Sequence, residues 1–329
     1  MTLELLTLGE SMVSLRSAAP LSAGGGLTMH VAGAESNVAV GVARLGHSVA
    51  WAGVVGADPH GEFILRQLRS EGIAVQHRVD TARATGVMFL ERRTADLSRA
   101  YYYRAGSAGS TISREDVDRA FTAGPRVLHL TGITAALSPE ARRAVEYAAA
   151  RGAAEGLVVS LDVNYRSKLW SRDEARAVLT PLARHATVLI ASDDELGLVA
   201  DGGGTPGNGG PGSAGTKAAE LAMAAELLER GVGEVVVKRG AAGAGVHTAA
   251  GRWEAPAVPV TSIDTVGAGD AFTAGYLSAL LDGGDVAARL KRGTLAGAFA
   301  VSTAGDCEGL PSAAELALLG AVPDGSTQR

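Results

Sequence analysis

Two hydrophobic rhythms take turns along this chain. Short runs of Leu, Val and Ile have the form of strands buried on both faces. Between them lie longer stretches in which apolar residues recur every three or four positions, as on helices with one covered side. Strands are predicted at residues 3–8, 49–55, 127–130, 157–162, 187–190 and 234–238. Helices are predicted at 36–45, where Val38, Val42 and Leu45 share a face, at 59–72, and at 139–151, 173–184 and 217–230. Pro59 suits a first helical turn and Gly72 a helix end. Strands separated by helices of this length imply right-handed βαβ units and a mainly parallel sheet covered on both faces, an α/β fold.

Two regions break the alternation. Residues 11–33 and about 75–104 hold strand-like pieces, among them TGVMFLER and SRAYYYR, with no helix between them. They are expected to pair as a small antiparallel sheet beside the main one, a lid. DGGGTPGNGGPGSAGTK, residues 201–217, is too rich in Gly and Pro to bury anything and reads as a flexible insert. No internal repeat is visible, so residues 1–320 are read as one domain and 321–329 as a tail.

Composition narrows the class. With 329 residues, 47% of them apolar and 20% charged, the chain has ample material for a buried core. A net charge of −5 without Lys/Arg runs argues against a nucleic-acid surface. The lone cysteine, Cys307, forms no intrachain disulfide and fits a reducing compartment. The N-terminus has no basic segment followed by a long apolar run, and no apolar stretch is long enough for a membrane span, so a cytoplasmic protein is expected.

The chemistry concentrates in DTVGAGDAFTAG, residues 264–275. An aspartate after a Gly-Ala-Gly turn, at the mouth of an apolar helix, is either a capping residue or a functional carboxylate beside an anion site. Gly267 and Gly269 let the backbone approach an anion closely, and the helix supplies aligned N–H donors. Other nucleotide motifs fail. G-x-G-x-x-G occurs at Gly202/Gly204/Gly207 and Gly207/Gly209/Gly212, but with no strand before it and no helix directly after. The P-loop pattern is absent. The seven histidines show no metal-ligand spacing, and His129, inside an apolar strand, reads as a core residue.

Residues 264–275 resemble the C-terminal signature of the ribokinase-like (PfkB) sugar kinases, and VAGAESNVAVGVARLG, residues 31–46, resembles their N-terminal one. The resemblance covers nearly the whole chain and implies a three-layer α/β/α sandwich with a β lid, using ATP and Mg²⁺. It implies Asp270 as base, with Gly267, Ala268 and Gly269 as the anion hole. Gly33, Ala34 and Asn37 would face the sugar. VVVKRGAAGAGV places Lys238, Gly240 and Gly243, with Gly267 and Gly269, against the nucleotide. The family's Asn-x-x-Glu, which organises water around magnesium, is here Ser192-Asp193-Asp194-Glu195, so Glu195 is retained and the asparagine replaced. YYYRAGSAGS, LTGIT and DVNYRSKLW are similar to 2-keto-3-deoxygluconate kinases. They imply Arg104 and Arg166 for a substrate carboxylate, with Tyr103 and Asn164 for hydroxyls and Asp306 near the sugar. Met88 stands where relatives often have a substrate-touching tyrosine. A neutral-sugar kinase of fructokinase or ribokinase type, or a non-catalytic sensor on the same fold, stays open beside the sugar-acid kinase. A lid with one uncovered apolar face is expected to pair between subunits, giving a homo-oligomer, most simply a dimer.

Overall fold

The computed structural model describes residues 2–94, 97–200 and 214–319. The chain opens with β1 (Leu5–Leu8), β2 (Met12–Ser17), β3 (Thr28–Ala32), α1 (Ala34–Arg44), β4 (Val49–Gly56), α2 (Pro59–Ser70) and β5 (Ala74–Asp80). It continues through β6 (Val87–Arg92), β7 (Ser98–Tyr103), α3 (Arg114–Phe121), β8 (Val127–Thr131), α4 (Gly132–Leu137), α5 (Pro139–Ala154) and β9 (Val158–Asp162). The rest comprises α6 (Arg172–Ala183), β10 (Val188–Ser192), α7 (Ala214–Glu229), β11 (Glu234–Lys238), β12 (Ala244–Thr248) and β13 (Gly251–Ala255), then α8 (Ala268–Leu281), α9 (Val286–Val301) and α10 (Ala313–Leu319).

The larger sheet runs β13-β12-β11-β10-β9-β8-β1-β4-β5 and is parallel from β11 to β5. Neighbouring strand residues point to opposite faces and bury both. Leu6, Leu8, Leu128, Leu161 and Leu189 join α3, α5, α6 and α7 on one side. Leu5, Val49, Trp51 and Val127 join α1, α2 and α8 on the other. The result is the three-layer sandwich. His129 sits in that sheet as a core residue, fully buried and bonded to Ser160 Oγ at 3.1 Å.

A separate sheet, β3-β2-β6-β7, forms the lid. It departs from expectation in two ways. Strand β2 pairs with β6 in parallel, because the chain passes through β3, α1, β4, α2 and β5 before returning as β6, so the sheet is mixed. Residues 74–80 also leave the lid: they form β5, the edge of the larger sheet, in parallel register with β4. Most of the Gly-rich insert lies outside the described residues. Its last part does not stay irregular, since α7 starts at Ala214. The predicted tail at 321–329 also lies outside them.

Candidate active site

In the larger sheet β4 and β8 flank β1, so the strand order reverses between β1 and β8. An open parallel sheet forms its binding crevice beyond the carboxyl ends of strands at such a reversal. Two cavities lie there, of about 1110 Å³ and about 590 Å³. Tyr102, Arg166, Val266, Gly267 and Asp270 belong to the walls of both. A group bound in one therefore meets a group bound in the other at Asp270.

Two helices bring the central side chains together. Gly41 of α1 faces Ala274 of α8 so closely that an added Cβ would lie 2.6 Å from the Ala274 Cβ. One turn earlier on each helix stand Asn37 and Asp270, and Asn37 Nδ2 donates to Asp270 Oδ2 at 2.8 Å. Asn164 Nδ2 lies 3.4 Å from Asp270 Oδ1. Asn164 is the single non-glycine with positive φ (41°) among the described residues, a conformation disfavoured for L-residues and tolerated best by Asn. Burial raises the pKa of Asp270, while the Asn37 bond and the positive charge of Arg166 oppose that rise.

The smaller cavity has a cationic and amide-rich wall. Gly267 caps α8 in the left-handed region (φ 78°) and offers no side-chain cap. The first intrahelical bond there is donated by Ala271 to the Gly267 carbonyl at 2.8 Å, so the amides before it carry the positive end of the helix dipole into the cavity. Lys238 reaches the same entrance and is held by Asp162 at 2.7 Å. Burial works against its charge, but Asp162, Glu195 and Asp270 keep its pKa above the ordinary value. Gly240 and Glu195 line this cavity; Gly243 is absent from its wall. Gly243 serves the β11–β12 hairpin instead, with φ 90° and space for a Cβ only 2.1 Å from the Ala255 carbonyl. Glu195 accepts from the Tyr165 amide at 2.7 Å and the Ser192 amide at 2.9 Å, tying together the loops after β9 and β10. No group of three or more His, Cys, Asp or Glu able to hold a metal occurs among the described residues. The acidic side chains of this wall, Asp193 and Glu195, fit a cation that arrives with a phosphate ligand and is met through water.

The larger cavity is lined by Gly33, Ala34 and Asn37 from the start of α1, another helix entrance without a side-chain cap. A Cβ on Gly33 would lie 2.6 Å from the Glu10 carbonyl, so only glycine fits. Asn37 Oδ1 is buried and unpartnered, ready to accept from a ligand hydroxyl. Arg104 faces the cavity, but Nε donates to Glu10 Oε2 at 2.7 Å, and Arg104 Nη2 and Ser107 Oγ also bond Glu10. Much of its charge is thus already matched. Arg166, exposed and without an ion pair among the described residues, is the open guanidinium. Tyr103 stands at the rim, 68% exposed; Tyr102 is the tyrosine between the cavities. Met88 lines the cavity beside it in sheet register. Asp306 is buried in the wall near Arg16, and burial pushes its carboxyl up to about 6 against the pull of that guanidinium.

Sequence reasoning missed Glu10, Arg16, Glu35 and the placement of Tyr102. Glu10 carried a signal, standing just past β1 at the edge where the sheet reverses. Arg16 carried none, because one of its partners is 248 residues away.

Comparison with known proteins gives the family and the fold. The profile of the pfkB family carbohydrate kinases matches residues 3–313. The 2-dehydro-3-deoxygluconokinase of Thermoproteus tenax is 35% identical over 320 residues, covering 95% of this chain and 93% of the relative. The 2-dehydro-3-deoxygalactonokinase of Haloferax volcanii is 31% identical over 309 residues, covering 93% of each. The crystal structure of a PfkB protein from Polaromonas sp. JS666 superposes with a TM-score of 0.83 at 34% identity, over 96% of this chain and 99% of that one. An E. coli protein solved in complex with ATP and Mg²⁺ superposes with a TM-score of 0.84 at 25% identity, over 96% and 98%.

Proposed function

The chain belongs to the pfkB family of carbohydrate kinases, and from that premise we propose that it transfers the γ-phosphate of ATP to a hydroxyl of a sugar acid, 2-keto-3-deoxygluconate (2-dehydro-3-deoxygluconate), giving the 6-phosphate. The observation that carries this reading is the position of Asp270, buried and in the wall of both cavities. ATP occupies the smaller cavity and the sugar acid the larger.

A sugar hydroxyl is too weak an acid to ionise at neutral pH, so it needs a carboxylate within hydrogen-bond reach as the attack develops. Asp270, oriented by Asn37 and Asn164, takes that proton. The hydroxyl oxygen forms its bond to the γ-phosphorus as the bridging P–O bond to ADP breaks. Amides at residues 267–270 and the Lys238 ammonium balance the charge on the transferring group. Mg²⁺ bound with ATP neutralises phosphate charge, and Glu195 would hold it through water. Asn37 and Gly33 hold the acceptor, with Asp306 behind it, while Arg166 meets its carboxylate.

The Glu10–Arg104 pair favours a second reading, a neutral acceptor, since it leaves one guanidinium uncommitted instead of two. The lid supports the expected dimer: Met29, Leu15, Phe89 and Tyr101 form an apolar row across all four strands. A cytosolic setting accords with the single cysteine, and no helix among the described residues is long and apolar enough to cross a membrane.

The test is an ATP-consumption screen of purified protein against 2-keto-3-deoxygluconate, its galactonate epimer, gluconate, fructose, ribose and adenosine, with Asp270→Asn as control. We expect turnover confined to the keto-deoxy sugar acids, and kcat lowered about 10²–10⁴-fold in Asp270→Asn with substrate binding retained. Turnover of neutral acceptors alone overturns the sugar-acid assignment, and near-normal turnover in the variant removes Asp270 as base.

A further inference from the structure

Arg16 lies on β2 of the lid, yet its side chain is directed at the loops that frame the α8 entrance. Nη1 donates to Asp264 Oδ2 at 3.3 Å, and Nη2 stands 3.1 Å from Asp306 Oδ2. Asp264 belongs to the segment leading into Gly267, its Oδ1 accepting from the Val266 amide at 3.1 Å. Asp306 follows α9, and its carbonyl would lie only 2.4 Å from a Cβ on Gly267. One guanidinium on the lid thus grips both chain segments that pack around the Gly267 turn.

The grip is buried. The Arg16 side chain is 13% exposed and that of Asp306 3%. The Arg16–Asp306 contact is a buried ion pair at 3.1 Å, and Arg16 Nε beside it has no hydrogen-bond partner among the described residues. Asp306 lines the larger cavity, whereas Arg16 is absent from its wall and stands behind the carboxylate.

We propose that Arg16 is a positioning residue for the acceptor: it holds the Asp306 carboxylate in place against the sugar. This rests on the reading of the larger cavity as the acceptor site. Other charges bear on the cluster. Glu308 acts on both Arg16 and Asp306 and is itself paired with His30 at 2.7 Å. Asp270 adds a like charge that disfavours ionised Asp306, and the Arg16 guanidinium counters it. Without Arg16, burial and these carboxylates act unopposed and Asp306 protonates at higher pH. A neutral Asp306 is a poorer acceptor for a sugar hydroxyl, so the loss falls on acceptor binding.

The test is steady-state kinetics of Arg16→Met, Arg16→Lys and Asp306→Asn, using the acceptor that the wild type phosphorylates best. A failed sugar-acid assignment then shows in the wild type and leaves the Arg16 comparison readable. We expect Arg16→Met to raise the acceptor KM about 10- to 100-fold while the ATP KM is unchanged. The acidic limb of its acceptor kcat/KM profile should move to higher pH. Arg16→Lys, which keeps the charge but loses the fork across two carboxylates, should fall between. An acceptor KM at the wild-type value in Arg16→Met overturns the proposal, as does parallel loss in acceptor and ATP parameters. Should Arg16→Met not fold, a wild-type acceptor KM in Arg16→Lys overturns it equally. Asp306→Asn with an unchanged acceptor KM refutes the route through Asp306, and with it the role of Arg16.

Discussion

Glu35 is a carboxyl group with no route to water. It lies in the first turn of α1 and is fully buried, with Thr131 Oγ1 and Thr134 Oγ1 both donating to Oε1 at 2.6 Å while Oε2 has no partner. Both donors fall on one oxygen, and the other is buried without one, so little there offsets the cost of burying a charge. Burial accordingly raises its pKa from 4.5 to about 7, against the threonine bonds and the charge of Arg104. The group binds its proton more tightly when folded. Its contribution to stability is therefore complete below pH 4.5 and is lost as pH rises to about 7. His129, held neutral with a pKa of about 4, acts in the opposite sense, losing its contribution as pH falls. Comparing Glu35→Gln with wild type cancels that second effect. The amide copies the neutral acid and accepts the same two threonine bonds. The variant should thus gain on wild type between about pH 5 and about pH 8, by up to about 3 kcal/mol. Thermal or urea unfolding at both pH values reads this; a difference that stays flat with pH rules out a neutral Glu35.

Among the helices, the two that bring Asn37 and Asp270 together begin without the side-chain cap that several others have. Asp58, Ser138, Ser171 and Asp285 cap α2, α5, α6 and α9 with side-chain oxygens. The helices that carry Asn37 and Asp270, α1 and α8, begin at Gly33 and Gly267 without a side-chain cap, whereas α4 and α6, whose first turns reach the larger cavity through Ile133 and Arg172, are capped by Thr131 and Ser171. A cap there would occupy the donors that a ligand needs. Gly267 and Gly283 make a matched pair for testing this. Their φ values are 78° and 77°, yet a Cβ on Gly267 meets the Asp306 carbonyl at 2.4 Å and one on Gly283 meets nothing within 4 Å. Alanine at either site costs roughly 1–2 kcal/mol for the left-handed backbone. Gly267→Ala should in addition shift the entrance and lower kcat by about 100-fold, while Gly283→Ala keeps its activity. Equal kcat in the two variants would show that the entrance geometry does not matter. At this scale the sequence was readable where one rhythm ran undisturbed. The strand at Glu234–Lys238 and the helix opening at Pro59 lie where their patterns put them. Lid membership was not readable, because β5 is strand-like by the same local criteria as β6, and only the register Ala50↔Ala74 to Gly56↔Asp80 assigns it to the larger sheet.

For the molecule as a whole, the lid has a row of apolar side chains, Met29, Leu15, Phe89 and Tyr101, in which Leu15 packs on the core and both ends stay exposed. Met29 and Tyr101, at its two ends, are 43% and 41% exposed, and Tyr103 beside it packs edge-on against Phe89 at 5.5 Å. A contiguous apolar strip on a sheet face is costly in water and is relieved when a second copy covers it. Light scattering on the eluting peak should give twice the 33.3 kDa chain mass. Met29→Lys, away from both cavity walls, should return the mass to that of one chain at the same concentration. A wild type that stays monomeric at high concentration ends the dimer reading.

The sequence by itself determined the alternation of strand and helix, the parallel sheet, the glycine turn with its aspartate at 270, and the carbohydrate-kinase family. Each of these follows from residues close together in the chain, where backbone preference and hydrophobic period are legible. Tertiary structure alone decided that Asn37, Asn164 and Asp270 meet, that Arg104 is committed to Glu10, and that Arg16 spans two distant loops. Those contacts join residues far apart in sequence. Their geometry is set by how closely helices approach and where a sheet reverses, which no local pattern records.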